Sequence, residues 1–166
     1  MKDQKKISVI FVCMGNICRS PTAQGMFSKL LEERGLQDHV FVDSAGTHAY
    51  HIGDSPDGRS IRAAAARGID LRQQRGRRVT VEDFNNFDYV LAMDRDNYAV
   101  LSAMCPAGCE KKLNLFLTYA PHLNLTDVPD PYYGGPTGFD QVLDLVEEAS
   151  RGLLEDIQRH LGKAGL

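Results

Sequence analysis

The segment that most constrains this chain is Ile7 to Val12, a largely apolar run rich in β-branched residues that leads directly into Cys13-Met14-Gly15-Asn16-Ile17-Cys18-Arg19-Ser20. A continuous apolar run reads as a strand buried on both faces, which is the signature of a parallel sheet covered on both sides. It is too short to span a bilayer, and no small-residue cleavage site follows it, so it is not read as a leader. After the loop, Ser20 offers a helix N-cap and Pro21 a first helical residue. Ala23, Met26, Phe27, Leu30 and Leu31 then recur at helical spacing until Gly35 closes the helix. A chain that opens strand, loop, helix in this way is committed to an α/β fold.

The rest of the sequence keeps the alternation. Val40 to Val42 reads as a second strand ending at Asp43 and Ser44, followed by a long loop marked by Gly46, Gly53, Pro56 and Gly58. Ile61 to Arg67 reads as a helix ended by Gly68, and Tyr89 to Ala92 as a third strand followed by a helix that Asp94 can cap. Pro106 and Gly108 make a turn before a fourth strand over Leu113 to Leu117. A proline- and glycine-rich loop then runs from Tyr119 to Pro136. Thr137 caps a last helix whose apolar positions, from Phe139 and Val142 through Val146, Ala149, Leu153 and Ile157 to Leu161, form one stripe. Strands alternating with helices imply a three-layer α/β fold with right-handed crossovers, whose site lies at the C-terminal ends of the strands. The loop after strand one, Asp43-Ser44 and Asp94 all fall at that edge. With 166 residues and no internal repeat or linker, the expectation is one domain over 1–166 with one active site.

Charge narrows the function. A formal net charge of -3 argues against nucleic acid or an anionic membrane as the main partner, since both need clustered positive charge. Without a secretion signal, the four cysteines point to reduced thiols and a cytoplasmic protein. A zinc site is disfavoured, because the C-x4-C and C-x3-C spacings are not the usual ones and a ligated Cys13 could not act as a nucleophile. No metal or other cofactor is expected.

The loop Cys13 to Ser20 lies where backbone N–H groups and a helix dipole favour an anion. Gly15 and Asn16 tolerate left-handed backbone angles, so the loop can curl until successive N–H groups converge. A cysteine at such a position favours the thiolate, a nucleophile for phosphorus. Arg19 supplies a planar fork matching two phosphate oxygens, and Ser20 can donate its hydroxyl to the sulfur. Taken singly, Ser20 is also explained as a cap, Gly15 as a turn and Cys13 as a buried small hydrophobe. It is the combination C-x5-R-S between a strand and a helix that carries the phosphate reading.

These residues, as VCMGNICRSPTAQG, resemble the signature of the low-molecular-weight protein tyrosine phosphatases, and VPDPYYGGPTGF resembles that family's general-acid loop. Similarity continues in DSAGTHAYHIGDSPDGRS and RRVTVEDFNNFDYVLAMDRDN. The resemblance implies a four-stranded parallel sheet and metal-free hydrolysis of protein phosphotyrosine and small aryl phosphates through a phosphocysteine. It implies Cys13 as nucleophile, Arg19 as clamp, Asp130 as general acid, and a phosphate loop over 13–20 built from Met14, Gly15, Asn16, Ile17, Cys18 and Ser20. Asn16 and Ser44 match positions that hold the loop's shape, although a turn asparagine and a strand-end serine explain them almost as well. It also implies a protective disulfide between Cys13 and Cys18.

In the acid loop, 127–136, two prolines flank Asp130 and stiffen its presentation. A turn aspartate before proline is the ordinary alternative, and Asp127 the nearest rival. Tyr50, Tyr132 and Tyr133 are candidate walls for a flat aryl group, with ordinary packing open for each. Cys105 and Cys109 are read as unrelated thiols at a turn, and the basic run Arg72 to Arg78 as a solvated face that can also steer acidic peptides. The expected partner is a tyrosine-phosphorylated protein, a tyrosine kinase among the candidates, met by a monomer. Two other readings stand beside this one. An arsenate reductase of the same fold would use Cys105 and Cys109 as shuttle thiols, and a noncatalytic phosphotyrosine-binding module would need neither Asp130 nor a thiolate.

Overall fold

A computed structural model describes residues 7–48, 50–133 and 137–163. Four parallel strands, β1 (Ile7–Cys13), β2 (Val40–Gly46), β3 (Tyr89–Ala92) and β4 (Leu113–Leu115), form one sheet in the order β2-β1-β3-β4. β1 is therefore interior and flanked on both sides, as its continuous apolar run predicts. The chain leaves β1 to one side through α1 (Arg19–Glu33) to reach β2, whereas β3 lies on the other side. The order of strands reverses at β1, so the crevice beyond its C-terminal end is where such a sheet binds ligands.

The two faces of β1 feed two cores. Val9, Phe11 and Cys13 point to the side covered by α1 and by α5 (Gly138–Lys163), where the Phe11 ring meets Phe27 and Phe116 edge-on at centroid distances of 5.9 and 5.0 Å. Ile10 and Val12 point to the other side, covered by α3 (Val81–Asn86) and α4 (Arg95–Met104) through Phe84 and Leu101. Each of these fully buried aromatic or branched side chains contributes about 1.5–3 kcal/mol of transfer free energy. All seven positions of the predicted stripe on α5 are buried. Alternation along the strand thus aims Cys13 into the same face as Phe11, at the open end of the sheet.

Several boundaries differ from the sequence expectations for identifiable reasons. α1 begins at Arg19, so Ser20 is inside the first turn and makes no cap; its hydroxyl faces Cys13 instead. β2 runs on to Gly46 because the backbone beyond Ser44 still pairs with β1. α2 (Gly58–Ala65) starts earlier than the alanine run suggests, since the Asp57 carboxylate accepts from Arg59 N and caps it. α3 is absent from the sequence reading. β4 stops at Leu115, where a 3-10 turn, Phe116–Tyr119, takes over. The close of α1 at Gly35, which takes a left-handed φ of 69°, and the cap by Asp94, which accepts from Asn97 N at 2.7 Å, follow expectation. Among the described residues no helix is long and apolar enough to cross a membrane.

Candidate active site

The loop that leaves β1 is shaped by its neighbours. Thr47 N donates to Cys13 O at 2.9 Å, His48 N to Met14 O at 3.0 Å and Asp57 N to Ile17 O at 2.7 Å. No cis peptide occurs among the described residues. Across a trans peptide the N–H points opposite to the C=O, so drawing these carbonyls outward turns the N–H groups of Met14, Gly15 and Cys18 inward. The concavity they make sits on the N-terminus of α1, where the helix dipole adds partial positive charge. Asn16 takes the left-handed conformation, with φ of 58°, whereas Gly15 does not. What Gly15 provides is clearance: a Cβ there would sit 3.1 Å from His51 Cδ2. The close approach to the loop backbone itself is at Gly46, where a Cβ would lie 2.8 Å from Met14 O and 3.1 Å from Gly15 C. The end of β2 is therefore in direct backbone contact with the loop.

Cys13 Sγ is buried at the base of this cradle, 3.1 Å from Ser20 Oγ, and accepts from Asn16 N at 3.3 Å. Behind the loop, Asn16 Nδ2 donates to Ser20 Oγ at 2.8 Å and to Ser44 Oγ at 3.0 Å, and Ser44 Oγ donates to Gln24 Oε1. Asn16, Ser20 and Ser44 thus stand beneath the cradle, while Met14, Gly15, Ile17 and Cys18 line it. Burial pushes the Cys18 thiol up to about 12, so it stays protonated at neutral pH. Cys13 and Cys18 are both free thiols.

Arg19 is 3% exposed. Its Nη1 donates to Asp94 Oδ2 at 2.6 Å and to Val128 O at 3.0 Å, and its Nη2 lies 3.7 Å from Asp130 Oδ2. Burial works against its charge, but the Cys13 sulfur and Asp94 outweigh that and raise its pKa above the ordinary value. Asp94 is read from the sequence as a cap at the edge of the sheet where the site lies, and is missing from the set of site residues. It is both: Oδ1 caps α4 and Oδ2 holds Arg19.

The segment 127–133 docks through buried Val128, whose N–H donates to Met93 O at 2.8 Å just beyond β3. This brings Asp130 to the cavity, its Oδ1 accepting from Tyr132 N at 3.0 Å and its Oδ2 turned to Arg19. The turn reading and the cavity reading of Asp130 are therefore both realised. Asp127 is held elsewhere, accepting from Arg95 N at 3.0 Å on the surface.

A cavity of about 130 Å³ results, with Cys13 and Arg19 at its base and Tyr50, His51, Asp130 and Tyr132 around its mouth. Tyr50 is 72% exposed and stacks on His48 at 5.4 Å, while the Arg59 guanidinium lies 5.2 Å from the Tyr132 ring centroid. The Tyr133 side chain and residues 134–136 lie outside the described ones. His51, absent from the sequence-based candidates, is the further wall; nothing local in its sequence marks it. Cys105 and Cys109 are remote from this cavity. α4 starts at the site with Asp94 and carries the chain away over ten residues, about 15 Å, before reaching Cys105. Cys109 packs in the core on the opposite face of the sheet from Cys13. That placement removes the shuttle thiols an arsenate reductase would need.

The basic run is also not a solvated face throughout. Arg77 is bonded to both Asp43 and Asp83, and its backbone N–H donates to Asn16 Oδ1 at 3.0 Å.

Comparison with known proteins agrees with this geometry. Residues 8–163 match the model of the low molecular weight phosphotyrosine protein phosphatase family. A low molecular weight protein-tyrosine-phosphatase of Bacillus subtilis is 38% identical over 153 residues, covering 92% of this chain and 97% of the relative. The human low molecular weight phosphotyrosine protein phosphatase is 38% identical over 157 residues, covering 93% and 98%. The crystal structure of a protein tyrosine phosphatase from Entamoeba histolytica, with Hepes in its active site, superposes with a TM-score of 0.89 at 38% identity and covers 93% of this chain and 98% of that one.

Proposed function

Because the chain belongs to the low molecular weight phosphotyrosine protein phosphatase family and is a phosphotyrosine-directed enzyme, we propose that it works through a phosphocysteine on Cys13, with no metal. The observation that carries this is the meeting of Cys13, Arg19 and Asp130 at one small cavity. In the first step the Cys13 thiolate attacks phosphorus and the bond to the phenolic oxygen breaks. Asp130, as the acid, protonates that oxygen and tyrosine departs. Arg19 and the inward N–H groups bind the phosphoryl oxygens as charge moves onto them. In the second step water attacks phosphorus, Asp130 takes its proton, and the P–S bond breaks to return the thiolate and inorganic phosphate. Ser20, already receiving a hydrogen bond from Asn16, has one proton to direct at the departing sulfur.

Tyr50 and Tyr132 flank the entrance, where aromatic faces favour a flat aryl ester over an alkyl one. The reading extends to the whole chain as one catalytic domain, acting as a monomer in the cytoplasm on a tyrosine-phosphorylated protein, with a tyrosine kinase as one candidate. The test is hydrolysis of an aryl phosphate in the presence of chelator by the parent, Cys13→Ser and Asp130→Ala. Cys13→Ser should abolish turnover, and Asp130→Ala should lower kcat by about 100-fold or more. A folded parent that fails to turn over, or an Asp130→Ala variant with parental kcat on a poor leaving group, refutes the assignment.

A further inference from the structure

The mechanism above requires that the single hydroxyl proton of Ser20 point at sulfur, 3.1 Å away, and not at Ala45 O, the more distant acceptor at 3.4 Å; it also requires that the Asn16 amide present a donor and not an acceptor to the same hydroxyl. Asn16 Nδ2 donates to Ser20 and Ser44, whose oxygens accept. Were the amide turned over, its oxygen would face Ser20, and the Ser20 proton would go to Asn16 and not to Cys13. Two partners fix the sense of this amide: Ser44 Oγ, which accepts from Nδ2 while its own proton goes to Gln24 Oε1, and Arg77 N–H, the donor 3.0 Å from Asn16 Oδ1.

The strand of chain that carries this N–H is riveted in place. The Arg77 guanidinium donates through Nε and Nη2 to Asp43 Oδ2 at 3.1 and 3.0 Å, and through Nη1 and Nη2 to the two Asp83 oxygens at 3.0 Å each. It therefore clasps β2 to the first turn of α3. Its carbonyl accepts from Gly46 N at 2.8 Å, beside the same glycine that touches the phosphate loop. The preceding Gly76 exchanges hydrogen bonds of 2.8 Å with Gly53 and Asp54 behind the cavity wall, and a Cβ on it would lie 2.3 Å from His51 O. The segment binds the cradle, the wall and the sheet edge together, which is more than a surface ion pair does.

We propose that Arg77 is a positioning residue for the Cys13 nucleophile: its two-carboxylate clasp holds the backbone N–H that locks the Asn16 amide, and the locked amide directs the Ser20 proton to sulfur. The proposal rests on the phosphatase reading for its kinetic arm but not for its chemical arm, because alkylation of Cys13 reports the thiolate whether or not the protein turns over. Across the cavity Cys13 also faces Arg19, Asp130 and Cys18, which substitution at Arg77 leaves untouched.

The experiment measures the rate of Cys13 alkylation by iodoacetate against pH, with kcat and KM for an aryl phosphate, in the parent, Arg77→Met, Arg77→Lys and Asp43→Asn. Arg77→Met should raise the alkylation midpoint by about one pH unit, the equivalent of one hydrogen bond to a charged group. It should lower kcat by about tenfold with KM changed less than about twofold, as for an interaction that matters in the transition state. Arg77→Lys, which keeps the charge but not the fork, should recover part of both. Asp43→Asn opens the same clasp while keeping an acceptor for Ser44 N, and gives the same reading should Arg77→Met fail to fold. A midpoint and kcat equal to the parent's in folded Arg77→Met and Asp43→Asn overturn the proposal and leave Arg77 a structural ion pair. A shifted midpoint in a protein whose parent lacks turnover would uphold the clasp and sink the phosphatase mechanism alone.

Discussion

Replacing Gly46 by alanine tests whether the end of β2 sets the phosphate loop. The new Cβ would stand 2.8 Å from Met14 O, 3.1 Å from Gly15 C and 3.2 Å from Asn16 N, whereas ordinary contact begins at 3.4 Å. All three neighbours are backbone, so no side chain can swing aside and the loop itself must retreat by about 0.6 Å, the difference between 3.4 and 2.8 Å. A displacement of 1 Å at reacting groups costs about 100-fold in rate, so on the order of ten- to twenty-fold should be lost from kcat. Overpacking of this kind should also lower stability by about 1–3 kcal/mol. The assay is steady-state hydrolysis of an aryl phosphate together with urea unfolding. Gly162→Ala serves as the comparison, because a Cβ at that position of α5 meets nothing within 4 Å and should leave kcat unchanged. A Gly46→Ala enzyme with kcat within twofold of the parent would refute the claim that β2 and the loop are in hard contact.

Two further expectations concern titrating groups. At pH 7 an alkylating reagent should label Cys13, which faces the cavity, and spare Cys18, because burial holds the Cys18 thiol near 12 and keeps it protonated; equal labelling by peptide mass mapping would contradict this. Asp57→Ala should cost about 1 kcal/mol at neutral pH through loss of the α2 cap, read by thermal unfolding. Hydrogen bonds from Arg59 hold the folded Asp57 carboxyl below its ordinary value, so its contribution is present above about pH 4 and is lost as pH falls through the folded pKa. The gap between parent and variant should accordingly close in strong acid, and a gap that widens there would be inconsistent with the pairing.

What could be read from the sequence followed the range of the interactions. β1, β3 and α5 were legible because burial writes itself into consecutive or evenly spaced residues, as in Tyr89 to Ala92 and the stripe ending at Leu161. α3 escaped because six residues are too few for a helical period, although its capping box, Thr80 with Asp83, left a local signal. Ser20 was read both as a cap and as a partner of the Cys13 sulfur, since the same hydroxyl chemistry serves either; the helix boundary at Arg19 rules out the cap, and the sulfur contact is made. At the site, Cys13 and Arg19 were marked out by the spacing of one short segment between a strand and a helix, whereas Asp130 was singled out from Asp127 by family resemblance. Asp94 and Arg77 reach their partners across 75 and 61 residues of chain, and no local pattern encodes such a pairing. Arg77 in particular was hidden among neighbouring arginines of which Arg72 is indeed solvated.

The long-range pairing of Arg19 bears on how the site works. A guanidinium free to rotate would have to be ordered by each substrate, at a cost in side-chain entropy of up to about 2 kcal/mol. Here Nη1 is already committed, to Asp94 at 2.6 Å and to Val128 O at 3.0 Å, which fixes the plane of the fork before any ligand arrives. Nη2 is left on the cavity side, where among the described residues Asp130 approaches it at 3.7 Å. Val128 and Asp130 belong to the same loop, so the docking of the buried valine both holds the arginine and places Asp130 beside it. Asp94, by contrast, is fixed from the α4 cap and is independent of that loop. In the proposed mechanism a dianionic phosphate at the cradle would strengthen its hold on Nη2 without disturbing Nη1. Asp130 would then be released from its 3.7 Å contact with Nη2 and left facing the mouth of the cavity, where the leaving oxygen of a bound ester would lie.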